Sequence, residues 1–98
     1  MTVLSWDEWS ARDGLGLAEL VRAGDATPEE LAAQAAEGCA RVDPEIRGVV
    51  ELFEDAVADA SVNGADPAGL FAGIPFGLKD LGPTLAGRLQ EQGSFYME

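Results

Sequence analysis

Apolar residues recur at helical spacing near the start of the chain. An i, i+3, i+4 stripe follows Asp13 and ends before Gly24. Asp is a favoured N-cap residue and Gly is favoured just past a helix end, so this pattern predicts a helix over 14–23. The residues of the stripe are Leu17, Leu20 and Val21.

A second helix has a stronger start signal. Thr27 and Glu30 form the pattern of a capping box, and Pro28 suits the first helical position. We expect this helix to cover 28–42 and to end at Asp43-Pro44, because proline restricts the residue before it. Its apolar face consists of Leu31, Ala35, Cys39 and Val42. On that face the cysteine is interpreted as a small core residue rather than a nucleophile.

The pattern becomes mixed after the second helix. Residues 49–53 predict a strand-like turn that leads into a third helix over 53–62, followed by a turn-rich linker over 63–70. The apolar run from Ile74 to Leu78 is short and bounded by glycine and proline, which predicts a buried lysine strand over 74–80. Residues 82–98 lack periodicity and predict a loop.

Two tryptophans near the start of the chain, Trp6 and Trp9, could share one face of a short helix because they are three positions apart. We interpret them as covering the edge of the core. The alternative is that they bind a partner.

Composition limits the classes of function. The chain has 98 residues, which allows one domain at most, and 47% of them are hydrophobic, which indicates a globular protein. The formal net charge is −12. Such a surface repels phosphate backbones and anionic lipids, so we expect no nucleic-acid partner and no membrane partner.

Several kinds of site are excluded by residue content. The chain has one cysteine and no histidine, which rules out an intrachain disulfide, a Cys/His zinc site and a histidine-based triad. The acids of the third helix are interpreted as a solvated face, so no metal site is predicted. Gly14-Leu15-Gly16 has Glu19 where a dinucleotide loop needs glycine, so no cofactor is predicted. With neither a signal-peptide pattern nor a membrane-spanning run, we expect a cytoplasmic protein.

Lys79 is the only lysine of the chain and ends the apolar run. In one interpretation it pairs with Asp80 or another acid, or its ammonium reaches water. In the other interpretation, the amine of Lys79 is buried away from water. Burial lowers the pKa of a lysine, and a neutral amine can then accept a proton from a serine hydroxyl.

The segment Gly73-Ile74-Pro75-Phe76-Gly77-Leu78-Lys79-Asp80 resembles the lysine segment of the amidase signature family. The upstream order of features is similar as well, so the resemblance extends from about residue 12 to the end. It implies an α/β fold, of which this chain would hold the N-terminal helices and the first strands of an incomplete mixed sheet. It also implies hydrolysis of a small-molecule amide by a serine–cis-serine–lysine triad, in which Lys79 would be the catalytic lysine.

The serines that the resemblance requires are not found in this chain. They should follow Lys79 within a Gly/Ser-rich stretch, and no such stretch is present. Four serines stand in other contexts, although Ser94 matches a family loop near the site; these are Ser5, Ser10, Ser61 and Ser94. We therefore expect an N-terminal fragment of an amidase domain that is inactive alone. It could act as a homodimer or with a complementing chain.

Leu81 follows the Lys-Asp pair, and a leucine at this position resembles the sequence of stand-alone amidases of the 6-aminohexanoate cyclic dimer hydrolase type. The A subunit of glutamyl-tRNA amidotransferase usually has asparagine there. A function of a different class is also open, in which the chain is a small acidic helical module that binds a partner through Trp6, Trp9 and its apolar stripes.

Overall fold

The computed structural model describes residues 3–61, 66, 68–80 and 86–88, and the regular secondary structure in these residues is helical. The helices are α1 (Trp6–Ser10), α2 (Gly14–Ala23), α3 (Pro28–Ile46) and α4 (Glu54–Ala58). The predicted α/β fold is therefore wrong for this part of the chain, since none of its segments forms a strand. The linker residues 63–65 and 67 and most of the predicted loop over 82–98 lie outside the described residues.

Helix α2 has the predicted bounds, and its two ends have the predicted caps. The Asp13 carboxylate accepts a hydrogen bond from the Gly16 N–H at 2.8 Å. Gly24 ends the helix in the left-handed conformation, with φ of 80°. Only glycine adopts this conformation without steric cost, which explains why the helix ends here.

Helix α3 begins as predicted but is longer than predicted. The Glu30 N–H donates to the Thr27 hydroxyl at 3.1 Å, and the Thr27 N–H donates to the Glu30 carboxylate at 2.9 Å, which completes the capping box. The helix continues through Pro44 to Ile46. Pro44 has no N–H and therefore makes no helical hydrogen bond of its own, and just beyond the helix the Asp43 carboxylate accepts the Val49 N–H at 2.8 Å.

Two further predicted elements are corrected by the structure. The third predicted helix is shorter than 53–62, because α4 covers only Glu54–Ala58. The predicted buried strand over 74–80 is wrong: residues 74–79 have no regular structure, and most of their side chains are exposed. A strand needs a neighbour that pairs with its N–H and C=O groups, and the described part of the chain provides none.

The core lies between α2 and the first half of α3. Leu17, Ala26 and Leu31 are buried there, and Ile74 packs against them from outside the helices. The predicted stripe of α3 is buried only at its start. Ala35 and Cys39 are half-buried and Val42 is exposed, so the cysteine lies at the edge of the core rather than within it.

Helix α1 packs against α3 through its tryptophans. A Cβ added to Gly38 would lie 3.1 Å from the Trp6 ring, so glycine permits this close approach. Trp6 meets Trp9 edge to face with the ring centroids 6.0 Å apart, and the Arg41 guanidinium lies 5.8 Å from the centroid of the Trp6 ring. Both tryptophans are half-buried, in agreement with the interpretation that they cover the edge of the core.

Candidate functional site

Lys79 lies at the end of a segment without regular structure, Ile74–Lys79, that follows the helical part of the chain. We call these residues the lysine segment. The side chain of Lys79 is exposed rather than buried. The described residues therefore bring no desolvating surface to the amine, and its position agrees with the interpretation in which the ammonium reaches water.

The start of the lysine segment is held against the helices. Gly73 has φ of 83°, and a Cβ at this position would lie 2.8 Å from Cγ of Pro28, the first residue of α3. The next residue, Ile74, reaches the start of α2, where a Cβ on Gly14 would be 3.2 Å from its Cδ1. These contacts fix the point at which the segment departs from α2 and α3, and we call this point, at Gly73 and Ile74, the anchor of the lysine segment.

The remainder of the segment exposes its apolar side chains. Phe76 is 86% exposed and Leu78 is 42% exposed, so large apolar groups flank the lysine without cover. Leu70 and Phe71, just before the anchor, are also exposed. Exposed apolar residues are normal singly, but several within one short segment indicate a surface that another surface can cover.

A cleft of about 280 Å³ lies beside the anchor of the lysine segment. It is bordered by the end of α2, by Pro28, by Gly73 and by the turn at Ala60-Ser61. The Arg22 guanidinium at its edge donates to the Leu70 carbonyl at 3.4 Å, which ties the turn before the lysine segment to α2. The cleft was not predicted from the sequence, because its walls come from four separate segments.

The serines of the described residues do not accompany Lys79. Ser5 caps α1, where its hydroxyl accepts the Glu8 N–H at 3.1 Å. Ser61 donates its N–H to the Glu29 carboxylate. Ser10 is the last residue of α1, and both Ser94 and Leu81 lie outside the described residues. Of the three described serines, Ser5, Ser10 and Ser61, none is hydrogen-bonded to the amine of Lys79.

Hydrogen bonds and charge lower the pKa of three carboxyls. The pKa of Glu29 is lowered, first by the side chain and then by the N–H of Ser61. The pKa of Glu8 is lowered chiefly by its hydrogen bonds with Ser5. The pKa of Asp55 is lowered by Arg88, whose guanidinium lies 2.7 Å from its carboxylate. All three are interactions of caps and turns, so they indicate structural roles rather than catalysis.

No metal centre is apparent: the part of the chain that the structure describes contains no group of three or more Cys, Asp or Glu side chains able to hold an ion. The predicted solvated face of α4 is seen in Glu54, Asp55 and Asp59, which are exposed. Within the same residues, no helix is long and apolar enough to cross a membrane.

Two structurally important residues were missed by the sequence patterns. Gln34 is completely buried in α3. Its side-chain oxygen accepts the N–H groups of Val3 and Leu4 at 3.1 and 3.0 Å, and its amide donates to the Leu4 carbonyl at 2.9 Å. The other missed residue is Arg88, whose guanidinium carbon lies 4.2 Å from the centroid of the Phe53 ring. For Gln34, the only signal in the sequence was a lone glutamine on an Ala-rich helix.

Comparison of the chain with protein-family models, with curated proteins and with solved structures finds no match.

Proposed function

We propose that this chain supplies the lysine of an amide hydrolase, with Lys79 as the proton-relaying group and with the serines provided by residues beyond this sequence. The substrate is a small linear or cyclic amide. No metal, cofactor, nucleic acid or membrane takes part in this proposal, and the location is cytoplasmic. The resemblance of residues 73–80 to the amidase lysine segment motivates it.

The observation that carries the proposal is the exposure of Phe76 and Leu78 beside Lys79. When another surface covers these two apolar side chains, the neighbouring amine loses water. Desolvation disfavours the charged form of an amine. The helices and the Gly73 anchor hold the start of the segment in place, so that covering its apolar side chains also positions the amine.

In the proposed reaction, the neutral amine of Lys79 accepts the proton of a bridging serine as that serine takes the proton of the attacking serine. The attacking oxygen forms a bond to the amide carbon, and the C–N bond breaks as the leaving amine gains a proton. Water then releases the acid from the acyl-enzyme. The Gly/Ser-rich stretch in which the resemblance places the nucleophile is not in this sequence, so we expect the chain to hydrolyse nothing alone.

Complementation tests the proposal. The chain would be mixed with the serine-bearing part of a related amidase that has been produced without its own lysine segment, and anilide hydrolysis would be measured. We expect activity with the unaltered chain and none with Lys79→Ala. Lys79→Arg is the matched control for charge: arginine keeps the positive charge but cannot be deprotonated, so it should also be inactive.

Two results would contradict the proposal. One is binding of the chain to the serine-bearing part without any gain in hydrolysis. The other is equal hydrolysis with the unaltered chain and with Lys79→Ala. Turnover by the isolated chain that disappears in Lys79→Ala would disprove the narrower expectation that it is inactive alone.

The second candidate is a helical interaction module, which the helical architecture of the described residues favours. The half-buried Trp6 and Trp9 pack within the chain itself, so such a module would use other apolar residues. The two candidates differ in solution. An uncovered enzyme segment should bind a hydrophobic dye strongly, whereas an independent module should have a defined stoichiometry and unfold cooperatively.

A further inference from the structure

The first residues of the described chain lie against α3 as a separate layer. We call residues 3–10 the N-terminal strap, which consists of a short lead-in and α1. No residue of α1 is buried, whereas α2 and α3 contribute the buried Leu17 and Leu31 to the core. The strap packs against this core only through side chains that are themselves partly buried, namely Val3, Leu4 and Trp9. It therefore covers the core from outside.

One side chain of α3 holds the lead-in of the strap. The Gln34 amide makes three hydrogen bonds with backbone groups of Val3 and Leu4, with lengths of 3.1, 3.0 and 2.9 Å. Gln34 is completely buried while these bonds are present. Because the three bonds share one side chain, they form and break together.

The helix of the strap is attached to α3 by a ring that lies on a glycine. Trp6 contacts α3 at Gly38, where the absence of a side chain makes room for the ring. The capping box of α1 lies within the strap, between Ser5 and Glu8. Separation of the strap from α3 therefore removes no cap of α2 or α3.

The connection between the strap and α2 is short and exposed. Ala11 and Arg12 are both exposed, and the N-cap of α2 follows them at Asp13, whose carboxylate is bonded to the Gly16 N–H. A change of backbone direction at Ala11 and Arg12 leaves this cap in place. The strap is thus joined to a helix that does not depend on its position.

We propose that the N-terminal strap is a lid on α3, which opens as one unit about Ala11 and Arg12 while α2 and α3 stay folded. Chain ends are ordered only where contacts hold them, and such local openings require less free energy than unfolding of the core. In the open form the Gln34 amide reaches water. This amide binds backbone groups, which every extended segment has, so the closed strap also excludes other segments from this position. Lys79 has no part in the lid, so the inference does not depend on the proposed enzymatic function.

Tryptophan fluorescence tests this inference, because both tryptophans of the chain, Trp6 and Trp9, lie in the strap. A urea titration of the whole chain would be followed by fluorescence, which reports on the strap, and by circular dichroism, which reports chiefly on α2 and α3. We expect the fluorescence midpoint at a lower urea concentration than the dichroism midpoint. Coincident midpoints would overturn the inference, because the strap and the helices would then unfold in one step.

Gly38→Ala should move the two midpoints in opposite directions. Alanine favours a helix more than glycine does, so the dichroism midpoint should rise. The new Cβ would lie 3.1 Å from Cη2 of Trp6, so it crowds the strap and the fluorescence midpoint should fall. Gly48→Ala is the matched control, because its Cβ would meet nothing closer than 3.7 Å, and both midpoints should stay unchanged. An equal shift of both midpoints in Gly38→Ala would count against the lid.

Gln34→Leu tests the lid without crowding it. This variant should lower the fluorescence midpoint more than the dichroism midpoint, because the hydrogen bonds that it removes belong to the strap. Hydrogen exchange of the Leu4 N–H should accelerate by about tenfold or more. Exchange of the Leu31 N–H, which is bonded to the Thr27 carbonyl at the start of α3, should keep its rate. Equal acceleration at Leu4 and Leu31 would show that α3 opens together with the strap and would overturn the inference.

Discussion

Gly73 lies against Pro28 so closely that a Cβ on the glycine would be 2.8 Å from Cγ of the proline. The contact joins the turn before the lysine segment to the first residue of α3. Gly73 also has φ of 83°, a conformation that residues with a side chain rarely adopt. Space and backbone geometry therefore both require glycine here, and this requirement fixes where the lysine segment begins.

Gly73→Ala should destabilise the chain by about 1–3 kcal/mol, because the left-handed backbone becomes strained and the new methyl group must displace Pro28. The free energy of unfolding in urea measures this change. Gly77→Ala is the matched control within the same segment, because a Cβ there meets nothing within 4 Å. The control should be close to neutral, and an equal loss in both variants would contradict the steric explanation.

Gln34→Leu should cost about 1–3 kcal/mol, because it leaves the N–H groups of Val3 and Leu4 and the Leu4 carbonyl without their buried partner. Leucine is of similar size, so the loss would come from hydrogen bonding rather than from a cavity. Urea unfolding gives the stability, and hydrogen exchange should accelerate at Leu4. Exchange that stays slow in the variant would show that the side chain does not hold this segment.

The Glu29–Ser61 interaction should make stability depend on pH. Because the pKa of Glu29 is lowered in the folded chain, its contribution is present above the ordinary glutamate pKa and is lost as the pH falls through the lowered value. Ser61→Ala removes the hydroxyl, so the pKa of Glu29 should rise toward its usual range in an NMR titration. Ser10→Ala, which alters a serine of α1, should leave the pKa of Glu29 unchanged. A rise of this pKa in both variants would refute the assignment of its shift to Ser61.

Arg88 should hold residues 86–88 against the start of α4 through two contacts, one with the Asp55 carboxylate and one with the Phe53 ring. Arg88→Ala should raise the pKa of Asp55, because the hydrogen bond and the charge that lower it are both removed. Arg88→Lys keeps the positive charge but loses the planar guanidinium, so the pKa of Asp55 should rise less than in Arg88→Ala. If the alanine variant leaves the titration of Asp55 unaltered, the pair does not form in solution.

The helix ends were predictable because their determinants are local. Asp13, Gly24, Thr27 and Glu30 act within four residues of their own positions, and each was confirmed. The end of α3 was predicted too early because a proline disfavours the helical conformation of the residue before it without forbidding it. The helix continues for two residues past Pro44.

The strand was predicted wrongly for a non-local reason. The run from Ile74 to Leu78 has the composition of a buried strand, but composition cannot supply a neighbouring strand or a covering layer. Gln34 was missed for a related reason, since its partners lie 30 and 31 positions away. The assignment of Lys79 as a catalytic group stays a prediction, because its role depends on what covers the segment.

The bonds of Gln34 have a consequence for folding during synthesis. Val3 and Leu4 leave the ribosome well before the residue that binds them, so the first segment must wait unpaired until the middle of α3 has emerged. Contacts between distant positions form late because a loop must close first. The nascent chain should therefore acquire its native N-terminal arrangement in one late step, when the glutamine becomes available, rather than gradually from its first residue.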